Sequence, residues 1–222
     1  MKASFGIALL VAFLVLTTGA WAGTVSVSDN DFETPVCGTA GSGTTCGSVP
    51  AWTLSGTAGQ VAYSAAQYGS DGTNQVGFAS NGGELSQVVS SVMDANETYV
   101  LSVLVGARTS SSNPFGGEIE LWAGSTMLGI ADIANSTAPT AGNWTTWTVT
   151  VDSANYASLA NNVNDPLEIA LLTPSGSVAQ TGFDNVSLTE NRDGGGVAPE
   201  PAMFALVGAG LLGLVTRRRF AK

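Results

Sequence analysis

Trp144-Thr145-Thr146-Trp147-Thr148-Val149-Thr150-Val151 is the stretch that decides the fold. Apolar and polar residues alternate along it, and alternation over a short run favours a strand over a helix. Trp144 and Trp147 are three apart, so on a strand they point to opposite faces, one into a core and one away from it. The same alternation, punctuated by Gly, Asn, Asp and Pro, recurs to either side. It predicts strands at Thr24–Val27, Trp52–Ser55, Gln60–Tyr63, Asn74–Ala79, Glu84–Val89, Thr98–Ala107, Glu118–Ala123, Thr126–Ile133, Trp144–Val151, Leu167–Thr173 and Thr181–Leu188. Ser153–Ala160 alone reads as a short helical turn. So many short strands in one domain predict an all-β fold, a two-sheet antiparallel β-sandwich of the jelly-roll type.

Composition agrees. Charged residues make up 11% of the chain against an apolar share of 44%, and there are 28 glycines, which fits a folded β protein with small-residue turns and not a disordered chain. The 222 residues divide by charge. Five of the seven basic residues lie near the two ends, which leaves Arg108 and Arg192 against sixteen acids in between, a net of −14. A nucleic-acid partner is excluded by that field.

Lys2, an apolar run from Phe5 to Leu16 and Ala20-Trp21-Ala22 have the order of a secretory signal peptide, residues 1–22. A sandwich domain over residues 23–190 follows. A linker over 191–198, with Asp193-Gly194-Gly195-Gly196 within it, leads to the tail at 199–222. Cys37 and Cys46 are the only cysteines and lie in the exported part, so a disulfide closing a small loop is expected. Histidine is absent, which excludes a Ser-His-Asp triad and, with one cysteine pair, an ordinary zinc site.

In the tail, Pro199-Glu200-Pro201 precedes the apolar run Ala202–Thr216 and then Arg217-Arg218-Arg219. This arrangement resembles the PEP-CTERM sorting signal. The run is a single transmembrane sorting helix in this reading, roughly 22 Å long at about 1.5 Å per residue, with the arginines held cytoplasmic. The resemblance implies an exosortase as partner, transient anchoring in the inner membrane, and delivery to the cell surface or extracellular matrix.

A second resemblance covers most of the domain. Asp29-Asn30-Asp31-Phe32-Glu33, Trp52-Thr53, Leu85–Val89, Thr98–Ser102, Trp144–Thr150 and Phe183-Asp184-Asn185-Val186-Ser187-Leu188 resemble, in order and spacing, the galactose-binding-like jelly rolls found in carbohydrate-binding modules. The Cys37–Cys46 loop departs from that pattern by widening an early gap. The resemblance implies a structural Ca2+ held by Glu33 and Asp184, with Asp31 completing the acids.

For a ligand, the loop Arg108–Phe115 offers a cation beside an aromatic and several hydroxyls, and Trp147 offers a ring on which a sugar can stack. Arg108, Phe115 and Trp147 are therefore the candidate binding residues. Glu118 and Glu120 lie on one strand face at a spacing near that of glycoside hydrolases, but the third acid of the glucanase motif is missing and Trp122-Ala123-Gly124 follows instead. The functional expectation is a non-enzymatic surface or matrix protein that binds polysaccharide in a biofilm. The alternatives are a calcium-stabilised structural or adhesive protein without a sugar site and, behind it, a glycoside hydrolase.

Overall fold

The computed structural model describes residues 22–39, 42–62, 65–69, 75–110, 114–152, 159–176 and 178–192, all within a compact unit spanning Trp21–Asp193. Residues 1–21 of the signal peptide, 193–198 of the linker and the whole sorting tail lie outside the described residues, while Ala22 opens the first strand and Asn191 and Arg192 close the last.

Among the described residues ten strands follow in order: β1 Ala22–Val25, β2 Thr45–Cys46, β3 Thr53–Ala62, β4 Gln75–Val92, β5 Glu97–Ala107, β6 Glu118–Ala123, β7 Thr126–Ala131, β8 Trp144–Val151, β9 Pro166–Leu172 and β10 Gln180–Arg192. A single helical turn, α1 (Ala65–Tyr68), precedes β4, and a 3-10 turn covers Ala160–Asn162. Residues 153–158 of the predicted helical turn lie outside the described residues.

All pairings are antiparallel, and hydrogen bonds run β7-β6-β9-β4-β10-β5-β8, with β1 on β10 and β3 between β2 and β4. This ribbon folds over along β3 and β4 to give two layers. The later part of β3 and the first part of β4 pair in one layer with β10, β5 and β8. The earlier part of β3 and the second part of β4 continue into β9, β6 and β7. The layers meet again where β7 passes β8: a Cβ at Gly129 would stand 2.6 Å from Val149 Cγ1. The sandwich is thus nearly closed.

The fold-over accounts for the two places where the strand reading differs. Thr53–Ser55 and Gln60–Ala62 belong to one strand, β3, and Gln75–Ala79 and Glu84–Val89 to another, β4, while Tyr63 and Asn74 of the predicted runs lie outside the described residues. The glycines and asparagine between them mark bulges and not turns. Gly56 has φ +59°, Asn81 +45° and Gly82 +77°, and the β3–β4 register slips between Ser55 and Thr57. A Cβ at Gly83 would sit 2.0 Å from the Thr57 carbonyl oxygen, so the two backbones touch where both strands bend. The two-residue β2 has too little pattern to be seen in sequence.

Between the layers, alternation sends one face of each strand inward. Leu101, Val103 and Val105 of β5, Ile119 and Leu121 of β6, Val149 and Val151 of β8, Ile169 and Leu171 of β9, and Phe183 and Leu188 of β10 form one buried core. Each such side chain contributes about 1.5–3 kcal/mol on burial. A smaller cluster of Val61, Tyr68, Val76 and Phe78, with Trp144 against it, covers the outer face of the first layer beneath α1.

Candidate active site

Strand β10 decides which side chains meet on that outer face. Gln180 lies opposite Ser80, Gly182 opposite both Phe78 and Gly106, and Asp184 opposite Leu104. Since Phe183 points into the core, its neighbours Gly182 and Asp184, and Gln180 before them, point out. Gly106 pairs in turn with Trp144. Phe78, Gly182, Gly106 and Trp144 thus form one row across four strands, with the two central side chains missing. The Trp144 indole fills that gap: a Cβ at Gly106 would stand 2.6 Å from its Cζ3, and one at Gly182 would stand 2.9 Å from its Cη2.

Tyr68 comes down from α1 onto the same spot. Its ring centroid is 5.9 Å from that of Trp144, and Gly182 leaves room for its Cε1 as well. The turn is tied to the sheet by Thr109 N donating to the Gln67 carbonyl at 2.8 Å and by Trp144 Nε1 donating to the Gly69 carbonyl at 3.3 Å. Tyr68 is 1% exposed. Burial pushes its phenol well above the ordinary value, and the nearby Arg108 charge pulls it back only in part, so the group stays protonated.

Arg108 follows β5 directly and joins the row of Ser80 and Gln180. Its guanidinium carbon lies 5.9 Å from the Tyr68 ring centroid, and Nη1 donates to Gln180 Oε1. Two residues past Gly182, Asp184 is fully buried. Its Oδ1 accepts from the Asn185 amide at 2.8 Å, and Oδ2 faces Asn185 Nδ2 at 3.4 Å. Asn185 has φ +48°, and the β10–β5 register shifts between Asp184 and Ser187. This bulge leaves Asp184 facing out while Val186 returns to the core. The face therefore holds, along β10, a guanidinium, two flat aromatic walls and a buried carboxylate, a set able to bind a planar molecule and to move a proton.

Two of the sequence candidates, Arg108 and Asp184, lie on this face, four residues of β10 apart. Phe115 and Trp147 do not. They meet each other edge to face at 5.2 Å on the core side, where Trp147 is 2% exposed and its Nε1 donates to the Thr137 carbonyl at 2.8 Å. Trp147 is thus the inward member of the tryptophan pair, and Trp144, passed over as a candidate, is the one at the outer face.

The calcium expectation also meets a different arrangement. Asp31 Oδ1 accepts from the Glu33 amide at 3.4 Å, Glu33 Oε1 accepts from the Gln75 amide at 3.0 Å, and Asp184 engages Asn185. Among the described residues no group of three or more acidic, cysteine or histidine side chains is gathered to hold a metal ion. The Cys37–Cys46 disulfide is formed, with a Cα–Cα distance of 5.8 Å. Around it the loop is pinned by two buried glutamines. Gln60 Nε2 donates to the Phe32 and Pro35 carbonyls, and Gln75 takes the Cys37 amide on its side-chain oxygen.

Glu118 and Glu120 sit on the outer face of the other layer. Burial, then neighbouring acids, hold Glu118 above the ordinary carboxylate range. Burial raises Glu120 too, against a hydrogen bond of 2.7 Å from Trp122 Nε1.

Fold and site together define a β-sandwich protein with a buried carboxylate on an aromatic outer face. Residues 23–189 match the HpiC1-like family, described as HpiC1 cyclase, and the chain belongs to that family. Residues 197–219 match the PEP-CTERM protein-sorting motif, so the protein is exported through the membrane and handled by an exosortase. A Stig cyclase from Fischerella sp. TAU, solved in complex with (3Z)-3-(1-methyl-2-pyrrolidinylidene)-3H-indole, is 19% identical with a TM-score of 0.62, over 78% of this chain and 100% of that one. A cyclase from the same organism, in complex with 4-(1H-indol-3-yl)butan-2-one, is 19% identical with a TM-score of 0.61, over 77% and 98%. At such identity these structures show the shared fold alone. No curated protein matches the sequence. The family membership corrects the expectation of a non-enzyme, because the family is one of cyclases.

Proposed function

We propose that the protein is an exported ring-closing enzyme whose reaction takes place on the outer face of β10, β5 and β8. The observation that carries this reading is Asp184, a fully buried carboxylate on the same strand face as the Gly182 gap that Tyr68 and Trp144 cover. A carboxyl group held there can protonate an alkene or ketone in the side chain of a planar aromatic substrate. An electron-rich ring carbon then closes onto the cation, and the carboxylate takes back the proton lost from that carbon. Trp144 and Tyr68 supply the flat surface that orients the ring, and their quadrupoles favour the passing positive charge. The indole ligands in the Fischerella structures suit such a surface and make 3-substituted indoles with an unsaturated side chain the first substrates to try. In this reading the chemistry takes place at the cell surface, toward which the PEP-CTERM motif directs the protein.

The test is Asp184→Asn against the unaltered chain on such a panel, with product followed by mass spectrometry. Conversion falls by about 10²–10⁴-fold, the range of a lost general acid–base group, while the melting temperature stays within a few degrees. Undiminished turnover by the variant removes Asp184 from the reaction.

A further inference from the structure

Two buried donors on the outer face of the first layer have nothing to bind. The Tyr68 hydroxyl and Arg108 Nε are both buried, and neither makes a hydrogen bond. The guanidinium has a neutral partner only, Gln180, and the ion pairs among the described residues are both those of Arg192. Among the described residues it is a cation without a counter-ion, in a segment whose charge is −14. Polar groups buried without partners destabilise a fold, and in native proteins such a group calls for an explanation, a ligand being one. Arginine has no acceptor atom, and the neutral phenol has a proton to give, so the missing partner is an acceptor.

We propose that Arg108 and Tyr68 form an oxyanion subsite that takes a carboxylate carried by a planar aromatic ligand. The fork of a guanidinium matches a carboxylate in shape. One positive charge inside a strongly acidic domain balances a monoanion better than the dianion of a phosphate ester. Arg108 lies in the row of Gln180 and Asp184 four residues further along β10, so the anchor and the reacting carboxyl are separated by roughly 13 Å of strand at about 3.3 Å per residue. The aromatic body lies between them against Trp144. The proposal rests on the reading of this face as the active site and adds the class of substrate.

The experiment is calorimetric titration of the full chain in mild detergent with two probes. They are 3-(1H-indol-3-yl)propanoate and the ketone 4-(1H-indol-3-yl)butan-2-one, which differ by an oxyanion in place of a methyl group on the acyl carbon. The propanoate binds at least ten-fold tighter than the ketone. Arg108→Met removes that preference and leaves ketone binding in place, and Arg108→Lys keeps part of it. Tyr68→Phe weakens the propanoate several-fold and raises the melting temperature of the unliganded protein, because the unmet hydroxyl is gone. This variant keeps the test open if Arg108→Met does not fold. Equal affinity for the two probes, a preference that survives Arg108→Met, or a lower melting temperature in Tyr68→Phe overturns the subsite and leaves the active face standing. If neither probe binds, both fall.

Discussion

Gly106 and Gly182 position the site by what they lack. Each is paired within a strand where a side chain would be ordinary, and each would drive a Cβ to within 3 Å of the Trp144 ring. Gly182→Ala is therefore expected to cost about 1–3 kcal/mol, the range for overpacking a closed site. It should lower the urea midpoint and change the near-ultraviolet circular dichroism that Trp144 gives. These residues also mark how far the site could be read from sequence. A spacing of three shows that Trp144 and Trp147 face opposite ways, but which one is inward depends on β5 next door, where Gly106 and not a bulky residue lies opposite Trp144. That is a pairing between positions 38 residues apart in the chain, invisible to local alternation. Asp184 entered the sequence reading only as a calcium ligand implied by the galactose-binding-like resemblance. Its place on an aromatic face emerged only with the register of β10 and the bulge at Asn185.

Among the elements, β5, β6 and β8 were legible because one face of each is buried along its whole length, so burial and sequence share one period. β3 and β4 were not, because each serves both layers and bends at glycines that locally look like turns. β6 gives a prediction of its own. Its outward carboxylate Glu118 is held above the ordinary 4.5 by burial and by Glu120 and Asp132. The folded state thus binds that proton more tightly than the unfolded chain does. Stability falls as pH rises from about 4.5 through the raised folded value. Glu118→Gln should raise stability at pH 7 by about 0.3 kcal/mol, a surface-scale effect after solvent screening. The gap between the two proteins in a melting series should close below pH 4.5. A gap that widens on acidification would contradict the cause assigned to the shift.

For the molecule as a whole, the C-terminal sorting signal was the most legible part, since its meaning lies in linear order, while catalysis was the least, since it needs distant strands side by side. The Cys37–Cys46 bridge stands between these cases: its pairing followed from there being two cysteines, and its loop is anchored by Gln60 and Gln75 from β3 and β4. Reduction should cost about 2–3 kcal/mol by loop-closure entropy, read as a lower denaturant midpoint with dithiothreitol. An unchanged midpoint would mean that the glutamines hold the loop without it. The pairing of Ala22 with Asn191 has a broader effect. It makes the polypeptide enter and leave the sandwich at one pole, while Gln180 and Arg108 stand at the other end of β10, roughly 40 Å of strand away at about 3.3 Å per residue. The strand that carries the proposed chemistry therefore holds it at the end remote from Arg192, the last of the described residues, so that a hold on that terminus and access to Arg108 fall at separate ends of β10.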